Sequence, residues 1–218
     1  MSAESSPVVS DAAPGWFGKL PGMGDFAHRR LPEDFREVWE RWLRNGLARL
    51  RVIHQGWTER YLEAPVWCFV LGNGVIGGQS WVGVLMPSVD GEGRYFPFTL
   101  AQELVSPRSE LKGEALAHVR QWWGVAIQAA RAGLDRNLDA IGFEVLLHQL
   151  FASQNDQVLD EDGEAALALP VVGQSLWFTD PRAEGGLGMA SQALPQDDQF
   201  EALFGYAPGA SAQGLEPP

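Results

Sequence analysis

Between positions 66 and 100 the chain writes three apolar runs, VWCFVL, SWVGVLM and YFPFTL, separated by GNGVIGGQ and PSVDGEGR. Each connection has eight residues, rich in Gly or Asp-Gly turn signals. A parallel crossover needs a dozen or more residues, so the three runs, centred on Phe69, Val84 and Phe98, are expected to be antiparallel neighbours.

Periodic segments flank this β-rich centre. Trp16 to Leu20 reads as a short strand that Pro21-Gly22-Met23-Gly24 breaks. Pro32 suits a helix start, and Glu33 and Asp34 complement the positive end of the dipole. Phe35, Val38, Trp39, Trp42, Leu43, Leu47 and Leu50 then form one apolar stripe at helical spacing, opposite the pairs Glu37 with Arg41 and Glu40 with Arg44. Downstream, a helix is expected from Ser106-Pro107 to about 132, with Leu111, Val119, Trp122, Trp123 and Ala126 inward and Gly133 as its stop. A second follows from about 137 to 151, with Leu138, Ile141, Val145 and Leu146 on its stripe. An exposed acidic loop at 154–164, a last strand at 174–179 and a short helix at 195–203 complete the order β, α, β, β, β, α, α, β, α. The fold class is α/β of the α+β kind: one domain over 15–206 with a mainly antiparallel central sheet packed against helices. Flexible tails are expected at 1–14 and 207–218, both small, polar and Pro-containing.

Nine tryptophans and eleven phenylalanines can fill such a core without disulfides or metals. The single cysteine, Cys68, lies inside an apolar run and reads as a small buried strand residue. No secretory start and no membrane-length apolar run is present, so the chain is expected to be cytoplasmic and not inserted in a membrane. Its net charge of -12 is uneven: 17 acids face 15 bases up to Leu150, but 11 acids face one base from Phe151 onward. Such acidity disfavours nucleic acid, suits a basic partner surface, and equally serves solubility.

Two stretches match dinucleotide patterns in letters. Gly22-Met23-Gly24-Asp25-Phe26-Ala27 satisfies G-x-G-x-x-A and Gly72-Asn73-Gly74-Val75-Ile76-Gly77 satisfies G-x-G-x-x-G. The mechanism requires a helix opening on the last small residue, and neither sequence continues as one. Gly18-Lys19 lacks the Ser or Thr of a phosphate loop, because Leu20 stands there. No G-x-S-x-G or H-E-x-x-H is present, and 156–164 does not fit a calcium loop. No catalytic, cofactor or metal residues are therefore assigned. Two polar features remain: Lys19 and Asp25 with His28-Arg29-Arg30, and Pro87 to Arg94, where Asp90-Gly91 signals a turn and Arg94 can pair with a carboxylate. Both read either as turns held by internal ion pairs or as a recognition surface.

The combination of WFGKLPGMGDF, a Trp-rich amphipathic helix, SWVGVLMPSVDGEGRYFPFTL and later SLWFT resembles the TagF family of type VI secretion-associated proteins, over about 15–204. The motifs G-K-L-P-x-x-G-D-F and G-V-L-x-P-S-x-D-x-x-G-R-x-F-P are specific when they occur together in this order. The resemblance implies a cytoplasmic negative regulator that acts after translation, with a forkhead-associated scaffold protein of the apparatus as partner. Some members carry a metal-dependent Ser/Thr phosphatase domain, for which 218 residues leave no room, so repression by binding is expected, without catalysis. The partner surface expected on this basis takes in Lys19, Asp25, Phe26, Arg29 and Arg30, with Asp90 and Arg94 as a second element. The alternatives are an enzyme or nucleotide binder that uses the Gly-rich 18–30 loop, and a structural subunit of the apparatus.

Overall fold

The computed structural model describes residues 8–10, 12–105, 109–154, 165–181 and 186–206. Chain order is β1 (Gly15–Lys19), β2 (Phe26–Arg29), α1 (Glu33–Ile53), α2 (Trp57–Glu63), β3 (Trp67–Leu71), β4 (Ser80–Met86), β5 (Phe98–Leu104), β6 (Glu110–Lys112), α3 (Gly113–Asp135), α4 (Ala140–Gln154), β7 (Ala166–Ala168), β8 (Gln174–Phe178), β9 (Gly188–Gln192) and α5 (Asp197–Leu203). Seven strands form one sheet in the order β2-β1-β5-β4-β3-β8-β9, and every pairing in it is antiparallel. The three central runs pair as their short connections require, β3 with β4 and β4 with β5. Strands β6 and β7 make a separate small ribbon.

Alternation along the strands divides the core into two. Trp67, Phe69, Leu71, Trp81, Leu85 and Trp177 face α1 and α5, whereas Cys68, Val70, Val82, Val84, Phe98 and Leu100 face α3 and α4. On the first side Trp39 lies 5.0 Å from Phe69 and 4.7 Å from Trp42 between ring centroids, and Phe200 meets Trp42 edge-on at 5.3 Å. Buried indoles seek an acceptor for the N–H, and most of those here find one, Trp81 being the exception. Trp39 donates to Thr99 Oγ1 at 2.9 Å, Trp42 to the Pro195 carbonyl at 2.6 Å, Trp67 to that of Leu203 at 2.8 Å and Trp177 to Ser175 Oγ at 2.9 Å. Cys68 is buried in β3, and that burial pushes its thiol far above its ordinary range, aided by the charge of Asp180.

Several boundaries differ from the sequence expectation. The stretch 26–29, expected to be loop, is strand β2, and α2, β6, β7 and β9 are additional elements. Helix α3 begins at Gly113, so Leu111 lies in β6, although it is fully buried. The expected start at Ser106-Pro107 falls outside the described residues, as do 155–164 of the acidic loop and the tail at 207–218. Gly133 does not stop α3 but lies inside it, where the Phe143 ring would be 2.7 Å from an added Cβ. The expected stripe holds in part: Leu146 is buried and Leu138 packs against the core just ahead of α4, but Ile141 is 73% exposed and Val145 53%, and Ala140, Phe143, Leu147 and Phe151 take the inside. Helix α4 is apolar nearly all round, so spacing alone does not choose a face, and the large rings of Phe143 and Phe151 take the inside. At the other end, Val9, within the expected N-terminal tail, is fully buried and bridges Leu104.

Candidate functional site

Strand β1 ends on Lys19 at one corner of the sheet, and the turn after β4 brings Asp90 beneath it. The Lys19 ammonium reaches Asp90 Oδ2 at 2.5 Å, and both side chains are nearly inaccessible, 6% and 0% exposed. The same Oδ2 accepts from Arg94 Nε at 2.8 Å, while Oδ1 accepts from the backbone N–H of Glu92 at 3.0 Å and of Arg94 at 2.9 Å. Burial alone would raise the Asp90 carboxyl. Its bond from Lys19, with those from Arg94 and Glu92, overcomes this and holds the group well below the usual carboxylate range. The four donors also shape the turn, which the Gly93 N–H to Asp90 carbonyl bond closes at 3.0 Å with Gly93 at φ 76°.

A second set of bonds ties the two motif loops together. Ser88 Oγ donates to the Lys19 carbonyl at 2.7 Å, and the buried Tyr61 hydroxyl both donates to the Ser88 carbonyl at 3.0 Å and accepts from the Ser88 N–H at 3.1 Å. The Gly91 N–H donates to the Met23 carbonyl at 3.1 Å, and Arg94 donates to that of Gly24. Gly22 packs against the α3–α4 corner, donating to the Leu138 carbonyl, and an added Cβ there would lie 2.6 Å from the Asn137 carbonyl oxygen. Close backbone approach, rather than a special φ, requires this glycine.

The candidate residues fall into two groups. Lys19, Phe26, Asp90 and Arg94 meet at the corner: the Phe26 ring stacks on Phe17, meets Phe96 edge-on at 4.7 Å, and lies under Lys19 at 4.9 Å and Arg44 at 5.0 Å. Asp25 stands beside them, exposed, its carboxylate accepting from the Phe26 N–H at 2.7 Å. Arg29 and Arg30 lie at the other end of β2. Among the described residues Arg29 donates to the carbonyl of His28. Arg30, at φ 58°, holds Glu144 by two bonds at 2.7 and 2.9 Å and also donates to the Ala13 and Pro14 carbonyls. Glu144 further accepts from the Trp16 indole. Against the upward push of partial burial, the Arg30 and Trp16 bonds hold its carboxyl below the ordinary value. The expected recognition set thus contains a buried knot and a separate surface clamp.

The sequence reading missed Tyr61, Ser88 and Glu144. Ser88 stands in the second motif, and Glu144 is the one carboxylate in α4, AIGFEVLLHQLFASQ, a signal available from composition. Neither nucleotide-like stretch opens a helix: Gly22 to Ala27 runs into β2, and Gly72 to Gly77 turns toward β4. Among the described residues no cluster of three His, Cys, Asp or Glu side chains is placed to hold a metal. A shallow cleft of about 320 Å³ at the β9 edge is lined by Gln174, Gln192, Gln196 and Gln199 with Ala190 and Ser191. Gln199 spends its amide on the Ala190 carbonyl and on Ser191.

A single antiparallel sheet between two helical layers, with two motif loops braced on one buried ion pair, defines an α/β domain built around that corner. The chain belongs to the TagF N-terminal domain family, type VI secretion system-associated, whose pattern matches residues 15–150. The crystal structure of PA0076 from Pseudomonas aeruginosa PAO1, at 2.05 Å, is similar, with a TM-score of 0.66 and 26% identity over 94% of this chain and 98% of that one. No curated protein sequence matches the chain. Among the described residues no helix is long and apolar enough to cross a membrane.

Proposed function

We propose that the protein is a cytoplasmic regulator that represses type VI secretion after translation by binding a forkhead-associated scaffold protein of the apparatus, with no catalysis of its own. The family match supports the association with type VI secretion. The observation that carries binding over chemistry is the state of the motif side chains. Lys19 and Asp90, the two groups best suited to acid–base or phosphate work, are buried and spent on each other, and Asp90 has four donors. Their role is to fix the shape of a surface corner.

Co-purification with the scaffold tests the reading, together with secretion measured in a strain that lacks the protein. Binding by the wild-type protein and increased secretion on deletion are expected; no binding and unchanged secretion would sink it. Calorimetry with ATP and Mg²⁺ addresses the enzyme alternative, since a binding module should give no saturable heat.

A further inference from the structure

Along the outer side of α1, Arg41, Arg44, Ala48 and Arg51 recur at i, i+3, i+7 and i+10, and all four are exposed. Beneath them runs a row of rings. Phe26 meets Phe96 at 4.7 Å, Tyr95 directly precedes Phe96 in the chain, and Tyr95 meets Trp57 edge-on at 5.4 Å. Phe26, Tyr95 and Trp57 are half-buried, so the row keeps part of its surface open. Arg44 lies over Phe26 at 5.0 Å and Arg51 over Trp57 at 5.0 Å, while the Arg94 side chain, 50% exposed, leaves the buried knot beside Tyr95. Val52, next to Arg51, is 86% exposed.

A guanidinium held over a ring keeps N–H groups that can still receive a carboxylate. Glu40 already shares Arg44, and Glu92 lies 3.3 Å from Arg94, but no carboxylate of the described residues pairs with Arg41 or Arg51. On a chain of net charge -12 this face gathers Arg41, Arg44, Arg51 and Arg94, with Glu40 and Glu92 beside two of them. Trp, Tyr and Arg are also the side chains that most often dominate binding energy at protein interfaces. The surface is continuous with the Lys19–Asp90 corner, so the knot holds in place the rings on which the arginines rest.

We propose that this arginine–aromatic face of α1 docks an acidic segment of a partner protein; the inference rests on the binding reading above in taking the ligand to be a protein. Charge complementarity fixes the chemistry, and the N–H edges of Arg41 and Arg51, which no described carboxylate holds, supply the donors. The chain's own acidity disfavours nucleic acid at the same place.

The direct test is anisotropy of fluorescein-labelled octaglutamate titrated with the full chain at low salt. Wild type is compared with Arg44→Glu/Arg51→Glu and with Arg131→Glu/Arg136→Glu, an equal change of charge on the α3 side; circular dichroism checks that all three fold. Saturable binding is expected in the wild type, weakened about tenfold or more by the α1 pair and little by the α3 pair, and lost at high salt. Arg44→Gln/Arg51→Gln should weaken it by a smaller factor. No saturable binding, or equal loss in both charge-reversed variants, overturns the proposal. The scaffold is then titrated with the same proteins. If it binds both variants alike, docking through this face is wrong and the regulatory reading stands; if it binds none while octaglutamate discriminates, the face stands and the scaffold is the wrong partner.

Discussion

On the α1 side of the sheet the strands present Trp67, Phe69, Trp81 and Trp177; on the α3 side the same strands present Cys68, Val70, Val82 and Val84. The helices answer in kind. Helix α1 contributes Phe35, Trp39 and Trp42, whereas α3 lays Ala126, Ala129 and Ala130 inward on the turns that follow its adjacent tryptophans, Trp122 and Trp123. Small side chains let a helix approach closely, and large rings hold one further off while burying more surface per residue. The rings on the α1 side continue outward to Phe26, Tyr95 and Trp57 at the surface, where arginines cover them. The outside of α4 shows Ile141 and Val145, with Glu144 between them held by Arg30. One layer therefore joins core and charged surface through a continuous aromatic stack, and the other does so at a single point, where the buried Trp16 indole bonds the Glu144 that Arg30 holds.

Trp39→Ala should produce the largest effect, about 3–5 kcal/mol, because it opens a ring-sized cavity and leaves Thr99 without its indole donor. Val84→Ala on the opposite face should cost less, about 1.5–2.5 kcal/mol for the methyl groups removed. Urea denaturation of the two variants checks the order, and a larger loss from Val84→Ala would break the contrast between the faces.

Next in size is the corner. Lys19→Met leaves the Asp90 carboxylate buried with Arg94 as its remaining side-chain partner and should cost about 3 kcal/mol. The pH dependence sharpens this. The Asp90 pKa is depressed on folding, so its stabilisation is complete above the unfolded value of about 4 and is lost as pH falls through the folded value. The stability gap between wild type and Asp90→Asn should be constant from about pH 5 upward and close below about pH 4. A gap that instead closed between pH 6 and 8 would mean that the carboxylate is not the group responsible. The smallest effect is expected at Ile141→Ser, within about 0.5 kcal/mol, since the side chain is exposed. A loss of several kcal/mol there would show that α4 is covered in solution.

The central antiparallel strands were legible because short Gly-rich links leave them no other geometry, and α1 because its stripe is clean and charged on the reverse. Helix α4 was not, since an all-round apolar helix hides its phase until Gly133 and Phe143 fix it. Strand β2 was missed because FAHR carries no alternation of its own and is defined by pairing with β1. At the site, the Arg94 to carboxylate pair was legible from the Asp90-Gly91 turn. That Lys19 would share the same carboxylate, 71 residues away in sequence, was not, because only sheet order brings β1 to the end of β4 by way of β5. The motif letters are largely explained by this knot: Ser88, Asp90, Gly93, Arg94 and Phe96 each hold the corner or its rings. The surface they shape is the row that α1 completes, where the docking proposal places a partner.

Hydrogen exchange of the full chain, alone and with saturating scaffold, measures directly which face the partner covers. Slowed exchange in peptides spanning 22–29, 44–57 and 90–96, with α3 and α4 unchanged, is the expected result. Slowing confined to α3 and α4, or no slowing anywhere, would contradict a regulator that binds through its arginine–aromatic face.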